Sequence, residues 1–227
     1  MKNINKFKKR GTKYGKWKKL EKEIVFEDYN KSHSEKLFDI IRKTWNYDQF
    51  ASPKIARKLS VIFLYSCLAQ QTFTKVALID NTPVGVIMAR NKSKERSNIK
   101  YKLKQFMAIL SLLIHKEGRQ TSKIFKGVSD TDAILLNEAN RDYSGELVFF
   151  AVDSDCRGMG LGQKLFSKAK EYMKSDGMND FYLFTDTTCN FGFYEHNGMT
   201  RRGEKREKVE VDGHMADMKF FIYDFDL

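Results

Sequence analysis

Cysteine is scarce in this chain: Cys67, Cys156 and Cys189 are spread through 227 residues and form no CxxC pair. An odd count at such separations argues against a disulfide framework and against a zinc site, and makes a reducing cytoplasm the expected compartment. Long apolar runs are missing too. No segment of signal-peptide length follows the basic first twenty residues, and polar positions interrupt the longest apolar stretch well before a membrane span is reached, so neither secretion nor membrane insertion is predicted. Acidic residues are absent from Met1 to Leu20, where nine basic ones stand: Lys2, Lys6, Lys8, Lys9, Arg10, Lys13, Lys16, Lys18 and Lys19. The formal charge of +12, from 41 Lys+Arg against 29 Asp+Glu, therefore belongs mostly to a tail, and the rest of the chain carries 32 basic against 29 acidic residues. Nucleic acid is not the expected partner of such a body. The tail reads as a solubilising extension, or as a strand-stacking arm in which Phe7, Tyr14 and Trp17 interleave with the cations.

What is present fits one domain over residues 21–227 behind the tail 1–20: 41% hydrophobic and 31% charged positions are globular proportions. A short alternating run, Glu23 to Asp28, predicts a strand. Apolar spacing predicts helices from His33 to Asn46, on Leu37, Ile40 and Ile41, and from Pro53 to Ala69, where proline in the first turn costs no hydrogen bond. Thr74 to Asp80 and Val84 to Arg90 then predict a β-hairpin around Asn81 to Pro83. The next strand is more than fifty residues away, too far for a bare loop, so 91–144 must carry structure of its own. A helix from Ile99 to His115, partly inserted in the body, and a shorter one from Thr131 to Asn140 are expected there. The basic run Arg90, Lys92, Lys94, Arg96, Lys100, Lys102 and Lys104 reads as a solvated face, with an anion site as the sharper alternative. Near the C-terminus, Lys208 to Asp212 and Met215 to Asp224 alternate as two strands around Gly213.

The informative third begins at Glu146. Glu146 to Asp153 (ELVFFAVD) is an apolar run of strand length; Gly158, Gly160 and Gly162 alternate after it, and a helix is predicted from Leu161 to Ser175. Strand, glycine loop and helix make an anion cradle, because glycines let several amides converge and the helix N-terminus adds roughly half a positive charge. A nucleoside-triphosphate loop requires GxxxxGK[ST], which the chain lacks. A dinucleotide fold requires GxGxxG within parallel βαβ units, whereas this loop reads GMGLGQ and follows a hairpin.

Arg157 to Gly162 (RGMGLG) resembles the [RQ]xxGx[GA] signature of the GNAT superfamily of acetyl-coenzyme A dependent N-acetyltransferases. Downstream, the strand Asp180 to Thr185 and the stretch Phe193 to Met199 (FYEHNGM) resemble that superfamily's FYxxxGF motif. The order of elements from Glu23 onward is similar too. The resemblance implies an α/β (α+β) fold: a mixed, mostly antiparallel central sheet flanked by helices, with splayed central strands and 91–144 as a helical insertion between strands 3 and 4. It further implies acetyl-coenzyme A as co-substrate, no metal, and direct attack of an amine on the thioester. Main-chain groups at Phe150 and Val152 would pair with the pantetheine arm, and amides of Arg157, Gly158, Gly160, Leu161 and Gly162 would cap the pyrophosphate. Gln163, Lys164 or Lys168 would reach the ribose phosphate. Asn190, with Thr187 as the alternative, would replace the usual asparagine. Tyr194 matches the tyrosine that acts as general acid toward the leaving thiolate. Glu146 is the candidate base, with Asp186 behind it and a water chain as the default; His196 is set aside as solvent-facing. Cys189 could carry an acyl intermediate, but direct transfer is the family's habit. The expected acceptor is a small-molecule amine under a lid formed by 91–144, on a monomer or homodimer. A non-catalytic acyl-coenzyme A binding module is the alternative reading.

Overall fold

In the computed structural model, residues 23–94, 98–211 and 214–227 are described. The basic tail, Arg96 and the turn at Gly213 lie outside them. The chain builds a seven-stranded sheet in the order β1-β2-β3-β4-β5-β7-β6. Its strands are β1 (Ile24–Glu27), β2 (Phe73–Ile79), β3 (Thr82–Asn91), β4 (Gly145–Val152), β5 (Asp180–Asp186), β6 (Thr200–Val211) and β7 (His214–Asp226). Every neighbouring pair is antiparallel except β4 with β5. The first hairpin turns on Asp80 and Asn81, both left-handed at φ 50° and 58°. This two-residue turn of primed type matches the strand twist, and it places Pro83 inside β3 rather than in the expected turn.

Period-two alternation assigns the two faces of the sheet. Val76, Leu78, Val86 and Met88 pack with the helices α1 (Ser34–Thr44) and α2 (Pro53–Gln70), through Leu37, Ile41, Ile55 and Leu64. Ala77, Ile79, Ile87 and Ala89 face the other way onto α5 (Leu161–Ser175), meeting Leu165, Phe166 and Ala169. Strand β4 switches sides partway along. Its register with β3 passes from Leu147↔Ala89 to Phe149↔Met88, leaving Val148 as an extra residue. Leu147 accordingly packs with the α5 side, while Phe149 and Ala151 pack with α1 and α2.

The insertion departs from expectation. It contains α3 (Ile99–Leu113) and a second helix, α4, which runs over Lys116–Glu138 rather than 131–140. Helix α3 is not inserted: it packs on α2, but within it Leu112 alone is buried, and Leu103, Phe106, Met107 and Leu110 stand exposed in one stripe. Helix α4 is the piece that enters the body. Its Leu135 packs with Tyr143, Tyr182, Phe220 and Ile222, covering the β5-β7-β6 half of the face that α1 and α2 leave open. The tight α3–α4 turn needs glycine at Gly118, where a Cβ would collide with the Leu112 carbonyl oxygen. Strands β6 and β7 also pair much further than expected, from Val211↔His214 to Thr200↔Asp224.

Candidate active site

Strands β4 and β5 are paired only at Gly145↔Phe181 and Glu146↔Tyr182. Beyond that point β4 stays with β3 to Val152, and β5 stays with β7 to Asp186. The two strands therefore part, and the β5-facing main chain of β4 from Leu147 onward is left without a strand partner. Polar backbone in that position calls for a ligand or water. A cavity of about 720 Å³ fills the opening, a size suited to a small-molecule site.

At its mouth lies the glycine loop. Gly158 (φ 80°) and Gly160 (φ 73°) are left-handed, a backbone region that side-chain-bearing residues avoid. Gly160 is the N-cap of α5 and its carbonyl accepts from the Lys164 amide, which leaves the amides of Leu161, Gly162 and Gln163 as the helix's unpaired first turn. Those amides and the helix dipole favour an anion at the mouth. The Arg157 amide donates to the Ser154 carbonyl at 3.4 Å, and Arg157 lines the cavity.

The floor and sides are aromatic and acidic. Tyr194 sits on α6 (Gly192–His196), a helix of little more than one turn. Its ring packs between Phe193 (centroids 5.7 Å apart), Tyr223 (5.9 Å) and Phe166 (6.5 Å). Burial, reinforced by Cys189 and Asp186, pushes the phenol up from its ordinary value, so it stays protonated at neutral pH. Glu146, at the closed end of the wedge, pairs with Arg90 at 2.6 Å; burial pushes its carboxyl up while Arg90 and Tyr182 oppose the shift. Asp186 at the end of β5 accepts from the Thr188 amide at 2.7 Å and the Thr188 hydroxyl at 2.5 Å. The Cys189 thiol is pushed up to about 11 by burial, which keeps it a thiol and a weak nucleophile.

The main candidates singled out in the sequence for catalysis, for the pantetheine arm and for the pyrophosphate line this cavity: Glu146, Phe150, Val152, Arg157, Gly158, Gly160, Leu161, Gly162, Asn190 and Tyr194. Others expected near it lie elsewhere. Thr187 is tied to β7 through the Lys219 carbonyl, and the Lys168 ammonium sits 5.1 Å from the Phe26 ring centroid; His196, set aside as solvent-facing, is exposed, with Nδ1 against the Gly192 carbonyl. Sequence reasoning missed two features. Trp45, beside Phe63 (4.7 Å) and Phe149 (5.7 Å), forms an apolar wall. Asp132 on α4 also faces the cavity, one helical turn after Val128, and burial, with Asp186 and Glu146 nearby, pushes its carboxyl up to about 7. The signal that could have found Asp132 is the helical phase Val128, Asp132, Leu135, visible only once α4 is extended. No group of His, Cys, Asp and Glu among the described residues is arranged to hold a metal ion, and no helix among them is long and apolar enough to cross a membrane.

Residues 132–199 match the family model described as Acetyltransferase (GNAT) family. No curated protein matches the chain. Among solved structures, PH1933 from Pyrococcus horikoshii OT3 is 15% identical over 90% of this chain and 99% of its own, with a TM-score of 0.57. A structure provisionally assigned as a phosphinothricin N-acetyltransferase is 14% identical over 90% and 99%, with a TM-score of 0.54. The protein smu.2055 from Streptococcus mutans UA159 is 14% identical over 89% and 98%, with a TM-score of 0.53. At such identities the likeness speaks for the fold. Sheet order, splayed central strands and the matched segment agree, and the chain is a GNAT-fold protein carrying the GNAT acetyltransferase pattern over residues 132–199.

Proposed function

We propose that the protein transfers an acetyl group from acetyl-coenzyme A to an amine by direct attack, within one domain spanning residues 21–227. The observation that carries this reading is the parting of β4 from β5 immediately beside a left-handed glycine loop and a free helix N-terminus. An extended arm ending in phosphates fits that combination: a strand edge for the arm, converging amides for the charge. The main chain at Phe150 and Val152 would hold the arm, the amides of Leu161 and Gly162 the pyrophosphate, and Asn190 the cavity-side amide group. Gly158 and Gly160 would keep the loop open enough for the phosphates to approach, with Arg157 contributing its side chain.

The chemistry needs a neutral amine and a protonated leaving group. An alkylammonium has a pKa of about 10, so a proton must be lost before attack. Tyr194, held protonated by its surroundings, would give its proton to the thiolate as the carbon–sulfur bond breaks. Direct transfer is favoured over a Cys189 acyl-enzyme because that thiol remains protonated.

The test is a screen of amines with acetyl-coenzyme A, following free thiol release. Tyr194→Phe should lower kcat about 100- to 10,000-fold while leaving cofactor affinity in place. Equal losses in turnover and affinity would instead favour a binding module without catalysis.

A further inference from the structure

The acceptor side of the cavity is built by residues that no motif marks. We propose that Asp132 is the catalytic residue that receives the acceptor: its carboxylate pairs with the ammonium of a positively charged alkylamine and takes the proton that the nitrogen must lose before attack. This rests on the acetyl-transfer reading above.

Three carboxylates face the cavity, and two are already occupied. Glu146 is paired with Arg90 at 2.6 Å, and Asp186 holds the Thr188 amide and hydroxyl. Asp132 has neither a hydrogen-bond nor an ion-pair partner among the described residues. A half-buried carboxyl beside two other acids, with no cation of its own, is short of one positive charge. Position is fixed rather than fortuitous. Leu135, less than one turn further along α4, is buried among Tyr143, Tyr182, Phe220 and Ile222, and Phe125 stacks edge-on against Tyr47 at 5.3 Å. The helix is thereby clamped on both sides of Asp132. The titratable groups that line the cavity with it from other elements are Glu146, Asp186, Cys189, Tyr194, Cys67, Cys156 and, on the glycine loop, Arg157; Glu146 is already paired with Arg90. Trp45 and Phe149 supply an apolar wall for the stem of an alkylamine and a ring face for its charge.

The carboxyl's raised value, about 7, puts it where a base working near neutrality is most effective. Asp132 takes one proton from the ammonium and later releases it to solvent. The free nitrogen pair forms the carbon–nitrogen bond, and the carbon–sulfur bond breaks with its electrons leaving on sulfur. Tyr194 protonates that sulfur, and the second nitrogen proton, shed through water as the adduct collapses, restores the phenol.

Two measurements on the full chain separate this inference from the reading it rests on. The first is calorimetric binding of 1,6-diaminohexane at pH 8 to protein loaded with coenzyme A, with the uncharged 1,6-hexanediol as the comparison. The wild type should bind the diamine at least tenfold more tightly than the diol, and Asp132→Asn should abolish that preference. An unchanged preference in Asp132→Asn, or no diamine binding by the wild type, would overturn the proposal. The second is thiol release against pH. Wild-type kcat/KM should rise through about pH 7, whereas Asp132→Asn should lack that limb and fall at least a hundredfold at pH 8, with the same affinity for coenzyme A. A retained limb overturns the role of Asp132. Diamine binding without thiol release from any amine would leave Asp132's pairing standing and refute acetyl transfer itself.

Discussion

The two walls of the cavity are made in opposite ways. On the cofactor wall the working groups are backbone: unpaired strand edge, helix-start amides, and a loop whose shape depends on Gly158 and Gly160 being left-handed. On the acceptor wall they are side chains, Asp132, Trp45 and Phe149, brought together from α4, the end of α1 and β4. A backbone site constrains residue type at fixed spacing, so it leaves a motif. A side-chain site requires only that distant elements meet, and any segment able to pack there will serve. The family model matches residues 132–199, which hold the whole glycine loop and also Asp132 and Phe149, whereas Trp45 and almost all of the insertion precede the match.

The comparison can be broken by loosening either wall alone. The largest effect is expected from Asp224→Ala. This aspartate is nearly inaccessible and accepts from Arg202 (2.6 Å), Arg141 (2.9 Å) and the Tyr143 hydroxyl (3.0 Å), tying the exit of the insertion to β6 and β7. Removing it strands these partners and should cost about 3 kcal/mol in a denaturant titration, with the acceptor KM rising and acetyl-coenzyme A affinity retained. An equal loss of cofactor affinity would show that the walls are not independent.

A second, smaller effect should have the opposite sign. Asp132 has its folded-state value raised to about 7 from 3.8, so the folded protein holds an extra proton between those limits. Its contribution to stability is present below about pH 4 and lost as pH rises through 7. Asp132→Asn should therefore raise stability by about 2 kcal/mol at pH 8 and change it little at pH 4, even as activity falls. Thermal unfolding at the two pH values checks this; a destabilised variant at pH 8 would mean the carboxylate has a partner in the folded state.

The smallest effect concerns the cofactor wall. Gly160→Val forces a branched side chain into the left-handed region at a cost of about 1–2 kcal/mol. It should weaken acetyl-coenzyme A binding about tenfold, while amine binding at the far wall stays unchanged. Both are read by calorimetry.

Legibility in the sequence followed the same division. Helix α5 begins and ends where its apolar spacing places it, because Gly160 caps it and Leu161, Leu165, Phe166, Ala169 and Met173 form its buried stripe. The first two-thirds of α4 were not legible: Gly118, Thr121, Ser122, Gly127, Ser129 and Thr131 are weak helix formers, and the helix stands because Gly118, Thr121, Thr131 and Leu135 are packed away. Helix α3 misled in the other direction. Its apolar richness reads as burial, yet Ile99 is 78% and Leu103 60% exposed. Strand β6, with its RRGEKREK run, looks like a charged loop and is held extended by its partner β7. Of the site, the glycines could be named from spacing and Tyr194 from the resemblance to a family motif, whereas Asp132 could not, since a carboxylate in a polar stretch becomes significant only beside Glu146 and Asp186.

The central claim is that the wedge between β4 and β5 holds acetyl-coenzyme A. Thermal unfolding across a cofactor concentration series tests it most directly. The account predicts a melting temperature that climbs with the logarithm of acetyl-coenzyme A concentration, reaching about 2.7 kcal/mol of stabilisation at a hundredfold excess over Kd, with a weakened climb in Gly160→Val. A melting temperature that does not move at millimolar acetyl-coenzyme A would contradict it.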